Sequence, residues 1–169
     1  MVKPIDFTVV IPTFRRPAEL REAISSVLAQ SEVEIEIIVV DDSPERSAES
    51  VIASINDARV AYLANPNPSG GFPSAVRNLG WPSGRGDFVH FLDDDDVIPP
   101  GHYAAVKHAF AKHPNVGVVF CRIDPSAIVL LLSCSMKSAT SRKLPYSPTF
   151  VSVFAHDAPS LPASCSIGP

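Results

Sequence analysis

Apolar positions in the first 120 residues form two patterns, continuous runs and a spacing of three or four residues. These patterns predict strands and helices in alternation. Short apolar runs rich in β-branched residues are typical of strands buried on both faces. Residues 7–11 and 35–40 are such runs, and residues 60–63, 87–92 and 116–120 are further predicted strands. Apolar residues three or four apart predict helices over residues 17–28, after a cap at Ser43 and Pro44, and around residues 103–110. This alternation implies right-handed crossovers, so the fold class is α/β, a Rossmann-like, mainly parallel sheet with flanking helices.

Segments rich in polar residues directly follow three of these strands. They are residues 12–16, the pair Asp41 and Asp42, and the run 93–96. Ligands of an open parallel sheet bind outside the carboxyl ends of its strands. We therefore expect the three segments to form one site. In the first segment, Arg15 and Arg16 either reach ligand phosphates or remain exposed at the start of a helix.

Four consecutive aspartates, Asp93 to Asp96, point to a bound cation. Two carboxylates about 5 Å apart repel by roughly 3 kcal/mol at an effective dielectric constant of about 20. Oxygen ligands without a nearby histidine or cysteine suit a hard divalent ion, Mg2+ or Mn2+, that shares its coordination with ligand phosphates. The alternative is a solvated acidic turn that caps the helix starting near Pro100.

The other candidate residues are a carboxylate pair and a glycine-containing segment. Asp41 and Asp42 can accept an N–H group of a nucleobase or a ribose hydroxyl, or else cap a helix. Residues 69–80 combine two glycines, which permit close backbone approach, with Arg77, which can neutralise a phosphate. The segment matches neither a dinucleotide-binding fingerprint nor a P-loop. Its alternative interpretation is a surface loop followed by a helix.

Composition and charge argue against several classes of function. The formal net charge is -4 and the isoelectric point is near 5.7, so nucleic acid is not an expected partner. The longest apolar run, residues 127–132, is too short for a membrane span. Because the N-terminus lacks a signal-peptide pattern, we expect a cytoplasmic protein. The spacing of His102, His108 and His113 favours solvated side chains over metal ligands.

Residues 121–169 differ in composition from the rest of the chain. Residues 1–120 hold 16 of the 18 acidic residues and 10 of the 14 basic ones. Residues 121–169 hold 10 of the 20 serines, six prolines and all three cysteines. We therefore expect two parts, a ligand-binding domain over residues 1–120 and an atypical Ser/Pro/Cys-rich tail over residues 121–169.

Four motifs follow one another in an order that is typical of one enzyme family. They are VVIPTFRRP at residues 9–17, IIVVDDS at 37–43, a glycine pair at 70–71 followed by AVRN at 75–78, and FLDDDD at 91–96. Together they resemble the family-2 glycosyltransferases over residues 5 to about 120. The resemblance implies the GT-A fold, a nucleotide-diphospho-sugar donor, Mn2+ or Mg2+, and inverting transfer of the sugar to a hydroxyl acceptor.

The resemblance also assigns roles to individual residues. Asp42 accepts an N–H group of the base, Arg77 lies near the donor phosphates or sugar, and Asp94 lies near the ribose or sugar. Asp95 and Asp93, the outer members of the family's DxD motif, hold the metal. The full set of implied donor-binding residues is Pro12, Thr13, Arg15, Asp41, Asp42, Arg77, Asp93 and Asp94.

The general base is not assigned by the resemblance. An inverting transferase needs a base for the acceptor hydroxyl, and in this family that carboxylate lies in a second half, well beyond the DxD motif. In the tail, Asp157 is the candidate, although it lacks the family's Glu-Asp context. One alternative is a catalytically inactive fragment that binds a nucleotide-sugar. Another is a receiver-type signalling domain, which fits poorly because Pro12 and Thr13 stand where its first strand should end in acids.

We hypothesise that the tail replaces the family's second half through truncation or a frame shift. The change in serine, cysteine and acid content after residue 120 motivates this hypothesis. Translation of the coding DNA in its two other frames is then expected to yield an acid-rich continuation. The absence of such a continuation would count against the hypothesis.

Overall fold

The computed structural model describes residues 3–114, 116–124, 127–133 and 150–155, and in these a seven-stranded sheet is flanked by four helices. The strands are β1 (Phe7–Thr13), β2 (Ile35–Asp41), β3 (Val60–Ala64), β4 (Phe88–Phe91), β5 (Val118–Asp124), β6 (Ala127–Ser133) and β7 (Phe150–Ala155). The helices are α1 (Pro17–Leu28), α2 (Glu49–Ile55), α3 (Pro73–Gly80) and α4 (His102–Lys112). A short 3-10 helix, Trp81–Ser83, follows α3.

The strand order in the sheet is β3-β2-β1-β4-β7-β5-β6. The first four strands run parallel, as the alternation of strands and helices predicts. Strands β7, β5 and β6 continue the sheet in antiparallel fashion. Thr13 at the end of β1 lies beside Asp41 at the end of β2, and Leu92 just after β4 donates its N–H to the carbonyl of Val10. The three polar segments expected to form one site therefore share one edge of the sheet.

Strand β1 is buried along its whole length because helices cover both faces of the sheet. Phe7, Val9 and Ile11 belong to the larger apolar core, together with the buried faces of α1 and α4. Val10 points to the other face and packs in a second cluster with Val76 of α3. Burial on both faces explains why the strand is a continuous apolar run rather than an alternating one.

Helix α2 begins later than the sequence predicts. Ser43 does accept a hydrogen bond from the N–H of Ser47 (2.8 Å), which resembles a helix cap. The chain does not continue as a helix there, because Arg46 takes the left-handed conformation with φ 57°. The helix starts at Glu49. Directly before it, the N–H of Ala48 donates a hydrogen bond to the carboxylate of Asp41 (2.8 Å).

The expectation that His102 is solvated is wrong, since this side chain is buried at the start of α4. Its ring packs edge-on against Tyr103 and lies 6.1 Å from the ring of His90, centre to centre. Burial lowers the pKa of His90 to about 3 and that of His102 to about 4. Both rings are therefore neutral at neutral pH and form part of the core, whereas His108 is exposed as expected.

The sheet continues past residue 120, at which the composition changes. The last strand expected from the sequence is shifted to Val118–Asp124, and β6 and β7 join it in the same sheet. The division of the chain into a domain and a tail stays a prediction. In the part of the chain that the structure describes, none of the helices combines the length and the apolar character needed to cross a membrane.

Close packing of α3 on the sheet depends on Gly80. A Cβ atom at this position would lie 2.7 Å from Cγ1 of Val10 and 2.8 Å from Cγ2 of Val40, closer than such atoms can approach. Only glycine lets the end of α3 lie this close to β1 and β2. The position of α3 matters for the candidate site because the helix carries Arg77.

We predict that Gly80→Ala lowers the free energy of unfolding, measured by urea denaturation. Overpacking costs about 1–3 kcal/mol, and the gain in helix propensity offsets at most about 1 kcal/mol. Val10→Ala removes one of the contacted methyl groups. The double variant is therefore expected to be more stable than the two single effects would give by addition. Simple additivity would contradict the proposed contact.

Candidate functional site

An open cavity of about 410 Å3 lies at the carboxyl edge of the parallel strands. Its size is in the range of small-molecule binding sites. It is lined by Pro12, Thr13, Phe14, Arg16, Asp42, Gly70, Gly71, Pro73, Val76, Asp93, Asp94 and Asp95. Most of the site residues expected from the sequence are in this lining. Asp41, Arg15 and Arg77 are the expected residues that are not.

The carboxylate of Asp42 is buried and holds the loop of residues 65–71 against the cavity. One oxygen accepts hydrogen bonds from the side-chain amide of Asn65 and the N–H of Ser69, and the other from the hydroxyl of Ser69 and the N–H of Gly71. Burial by itself would raise the pKa of Asp42. The four hydrogen bonds outweigh burial and hold that pKa below the ordinary value of 3.8. Asp42 is therefore an ionised anchor for this loop.

Asp41 lies behind the cavity, where all its hydrogen bonds are made within the protein. One oxygen accepts from the N–H and hydroxyl of Ser43, at 2.9 and 2.6 Å. The other accepts from the N–H of Ala48 at 2.8 Å and from the hydroxyl of Tyr62 at 3.2 Å. Burial, together with the nearby Asp41 charge, raises the pKa of Tyr62 to about 12. This geometry gives Asp41 a part in fixing the turn after β2.

Asp94 is the buried member of the aspartate run, with 6% of its surface exposed. The hydroxyl of Thr13 donates to Asp94 Oδ2 at 2.8 Å, which joins the ends of β1 and β4. Burial raises the pKa of Asp94 above its ordinary value, and the Thr13 hydrogen bond and the Arg16 charge only partly offset this rise. Asp94 is thus fixed in orientation, which suits it to a positioning contact.

Two adjacent arginines point in different directions. Arg15 has the left-handed φ of 60°, and its guanidinium pairs with Glu45 (2.6 Å) beside the ring of Phe14. Arg16 instead lines the cavity, with Nη1 2.6 Å from Asp95 Oδ2 and 3.3 Å from Asp94 Oδ1. Of the two arginines that could reach a ligand phosphate, the structure brings Arg16 and not Arg15 to the aspartates.

Arg77 of α3 approaches the aspartate run from the opposite side and pairs with Asp93. Its Nε is buried without a hydrogen-bond partner among the residues that the structure describes. Asp96 lies beyond the cavity lining, where burial and then the charges of Asp93 and Asp95 raise its pKa. The run thus carries unbalanced negative charge between two arginines.

The aspartates suit a metal that completes its coordination with other ligands. Over residues 3–114, 116–124, 127–133 and 150–155, no three histidine, cysteine, aspartate or glutamate side chains are grouped so as to enclose a metal ion. Asp93 and Asp95 are half-exposed at the cavity, with 50% and 53% of their side-chain surface accessible. Their oxygens fit a hard divalent cation that takes further ligands from water or phosphate. This donor set is compatible with Mg2+ or Mn2+.

Comparison with protein families decides the classification. The model of the family described as "Glycosyl transferase family 2" matches residues 8–131. This chain belongs to glycosyl transferase family 2. The match ends at residue 131. The resemblance based on the four motifs ends near residue 120, so the match extends further.

Individual relatives of this family-2 chain were found among curated proteins and solved structures. The chain is 38% identical over 96 residues to the Campylobacter jejuni GalNAc(5)-diNAcBac-PP-undecaprenol beta-1,3-glucosyltransferase, covering 56% of this chain but only 31% of that relative. S. aureus TarS in complex with UDP-GlcNAc matches at 27% identity with a TM-score of 0.60, over 68% of this chain and 33% of TarS 1-349.

A third comparison extends the likeness of fold to an archaeal enzyme. The mannosyltransferase PcManGT from Pyrobaculum calidifontis, solved with GDP-Man and Mn2+, matches at 20% identity with a TM-score of 0.56. The match covers 74% of this chain and 39% of that one. The fold is therefore the GT-A fold, as the motifs imply. The chain spans about a third of the length of the curated and solved relatives named here.

Two contacts at the candidate site were not expected from the sequence. Asn65 and Ser69 bind Asp42 from a loop more than 20 residues away in sequence, and no local pattern links them to this carboxylate. Phe14 lines the cavity directly after Thr13. It lies within the segment 12–16 that was expected at the site, but no role of its own was assigned to it, although residues at this end of a parallel strand face the ligand.

We predict that Asp42→Asn destabilises the family-2 domain at neutral pH. The amide NH2 group of the new asparagine would face N–H and O–H donors where a carboxylate oxygen of Asp42 now accepts their hydrogen bonds. An unsatisfied buried polar group costs about 1–3 kcal/mol of stability. The pKa of Asp42 is lowered in the folded state, so its stabilisation is present above 3.8 and is lost as the pH falls through the folded value. The difference from wild type is therefore expected to shrink as the pH falls below 3.8 and through the folded pKa.

Urea denaturation at neutral pH and at a series of acidic pH values below 3.8 measures this difference. The matched control is Asp87→Asn, the same chemical change at an exposed position before β4. It is expected to leave the unfolding midpoint close to that of wild type. An equal loss of stability in both variants, or a loss that does not depend on pH, would show that Asp42 does not anchor the loop as an ion.

Proposed function

We propose that this chain binds a nucleotide-diphospho-sugar donor and transfers its sugar, with inversion, to a hydroxyl acceptor, with the help of Mn2+ or Mg2+. One observation carries the proposal. The buried carboxylate of Asp42 and the aspartates 93–95, with Arg16 beside them, open onto the same cavity. One part of the cavity thus suits a nucleoside and the other suits a diphosphate.

The nucleoside is proposed to bind at Asp42, beside Pro12 and Thr13. All four acceptor positions of this carboxylate are used by the 65–71 loop. A base N–H can therefore bind only where one of these donors withdraws. We propose that the hydroxyl of Ser69 gives way, since a hydroxyl can rotate while the backbone N–H groups of Ser69 and Gly71 are fixed by the loop. The base would then be recognised by exchange of one hydrogen bond for another.

The diphosphate is proposed to bind at the aspartate run. Asp93 and Asp95 would hold the divalent cation, while Asp94, fixed by Thr13, contacts the ribose or sugar. Bound there, the cation supplies stabilisation of the negative charge that develops on the departing nucleoside diphosphate. The guanidinium of Arg77, which now pairs with Asp93, lies close enough to this run to neutralise phosphate charge as well.

The transfer itself requires an acceptor hydroxyl that attacks the anomeric carbon from the face opposite the leaving group. A general base must remove the proton of that hydroxyl. Asp157, the candidate base in the sequence, lies outside the described residues. The name of the C. jejuni relative specifies a glucosyl transfer onto a lipid-linked glycan. For this chain we propose only the class of acceptor, a hydroxyl group.

We predict that one of UDP, GDP, dTDP and ADP binds the full chain in calorimetric titrations and requires Mn2+ for tight binding. Asp95→Asn removes a metal ligand. Since changes to outer-shell partners alone cost about 10–100-fold in metal affinity, this variant is expected to bind the nucleotide at least about tenfold more weakly. Asp87→Asn, at the other end of β4, is the matched control and is expected to bind like wild type. Binding that is equal with and without Mn2+, or unchanged in Asp95→Asn, would contradict the metal site.

Transfer is tested separately from binding with the sugar donor of the nucleotide that binds. Release of nucleoside diphosphate with water or added alcohols as acceptor reports cleavage of the donor. Proton NMR at early times reads the anomeric configuration of the product, which is expected to be opposite to that of the donor. Tight donor binding without release would favour the inactive donor-binding fragment instead.

A further inference from the structure

We infer that Arg16 is an internal counter-cation of the metal site: it bridges Asp94 and Asp95 in this structure and moves to the diphosphate when metal and nucleotide bind. The inference rests on the proposed donor site and adds a role for a residue outside the DxD motif. It predicts that Arg16 opposes metal binding in the absence of nucleotide and favours nucleotide binding in the presence of metal.

The geometry of Arg16 is the first support. A single nitrogen, Nη1, lies 2.6 Å from Asp95 Oδ2 and 3.3 Å from Asp94 Oδ1. The guanidinium therefore occupies the space between two adjacent carboxylates, where their like charges repel most. A divalent cation held by Asp95 would bind the carboxylate that Arg16 now contacts at Oδ2. The two cations therefore compete for the charge of one carboxylate.

The accessibility of the pair is the second support. Half of the Arg16 side chain is exposed, as is half of that of Asp95, so their contact can break without unfolding any packed structure. Arg16 stands directly before α1, where its long side chain can turn about fixed backbone. Asp94 differs, since it is buried and held by Thr13. Loading is therefore expected to move Arg16 and leave Asp94 in place.

The guanidinium of Arg16 can also bind a second partner, the phosphates of the ligand. Its planar donor fork matches phosphate as well as carboxylate, so the same group can bind either one. A nucleoside diphosphate brings negative charge into the cavity that Arg16 lines. Once a divalent cation neutralises Asp95, the phosphates are the stronger attraction for the arginine. Arg15 cannot take this role, because it is paired with Glu45 outside the cavity lining.

Arg16→Ala tests the exchange through two binding measurements that do not depend on turnover. In the first, Mn2+ is added to the full chain without nucleotide, and free Mn2+ is measured by electron paramagnetic resonance. Exposed ion pairs are weak, so removal of the competing cation is expected to tighten Mn2+ binding by about two- to fivefold. In the second, the nucleoside diphosphate that binds wild type is titrated calorimetrically at saturating Mn2+. Loss of a charged hydrogen bond is expected to weaken it about tenfold.

Two further variants separate charge from geometry and from global effects. Arg21→Ala removes one positive charge from α1 at an exposed position where Arg21 binds the hydroxyl of Ser54. It is expected to change neither affinity. Arg16→Lys keeps the charge but not the planar fork. It is expected to leave Mn2+ affinity near wild type and to weaken nucleotide binding less than Arg16→Ala does.

The opposite signs of the two effects are the decisive result. Unchanged or weaker Mn2+ binding in Arg16→Ala would overturn the inference, because it would mean that Arg16 does not compete for Asp95. Unchanged nucleotide binding would overturn the second half, the move to the diphosphate. If wild type binds no nucleotide at all, the proposed function fails. The Mn2+ titration would still decide whether Arg16 acts as a counter-cation, so the two failures are distinguishable.

Discussion

Asp41, Asp42 and Asp94 are buried where β2 and β4 reach the carboxyl edge of the sheet, and the surrounding chain is arranged to satisfy them. A buried carboxylate without partners is costly. Asp41 therefore fixes the turn of residues 43–48 with three hydrogen bonds and accepts a fourth from Tyr62 of β3. Asp42 fixes the loop of residues 65–71 with four. Hydrogen bonds to these carboxylates hold the connections that follow β2 and β3 in place. Apolar packing forms the sheet, but hydrogen bonds to aspartate form its functional edge.

The exposed aspartates beside this edge are partly neutralised by segments that are distant in sequence. Arg16 comes from the start of α1 and Arg77 from α3, so two helices on different parts of the chain must be positioned before these ion pairs form. The place of α3 depends in turn on Gly80, which allows close contact with β1 and β2. The packing of one glycine of α3 against β1 and β2 thus contributes to the electrostatics of the cavity. A substitution at Gly80 can alter the charge balance around the aspartates although this residue is not in the cavity lining.

Much of this arrangement is predictable from sequence, and the exceptions have identifiable causes. The strands β1 and β2 and helix α1 were predicted to within two residues, because burial of both faces of a strand leaves a continuous apolar run and burial of one face of a helix leaves a clear period. The late start of α2 was not, since it depends on a side chain, Asp41, that binds the chain seven residues later. The choice between Arg15 and Arg16 depends on one backbone angle that no residue pattern encodes. The motifs identified segments that meet at the cavity, but they did not identify the hydrogen-bond donors that each carboxylate binds.

The same feature, a site whose carboxylates already have partners within the protein, bears on how the proposed donor would be selected. Each group of the ligand has to replace a partner that the protein supplies itself: a loop donor at Asp42, an arginine at Asp95. Such an exchange gains little for any single contact, because one hydrogen bond or ion pair is lost for each that forms. A ligand that displaces the internal donors without returning equivalent ones leaves a buried acceptor unpaired, at a cost of about 1–3 kcal/mol. A compound carrying only the base or only the phosphates satisfies one end of the cavity, so selectivity on this proposal comes from the donor that satisfies both.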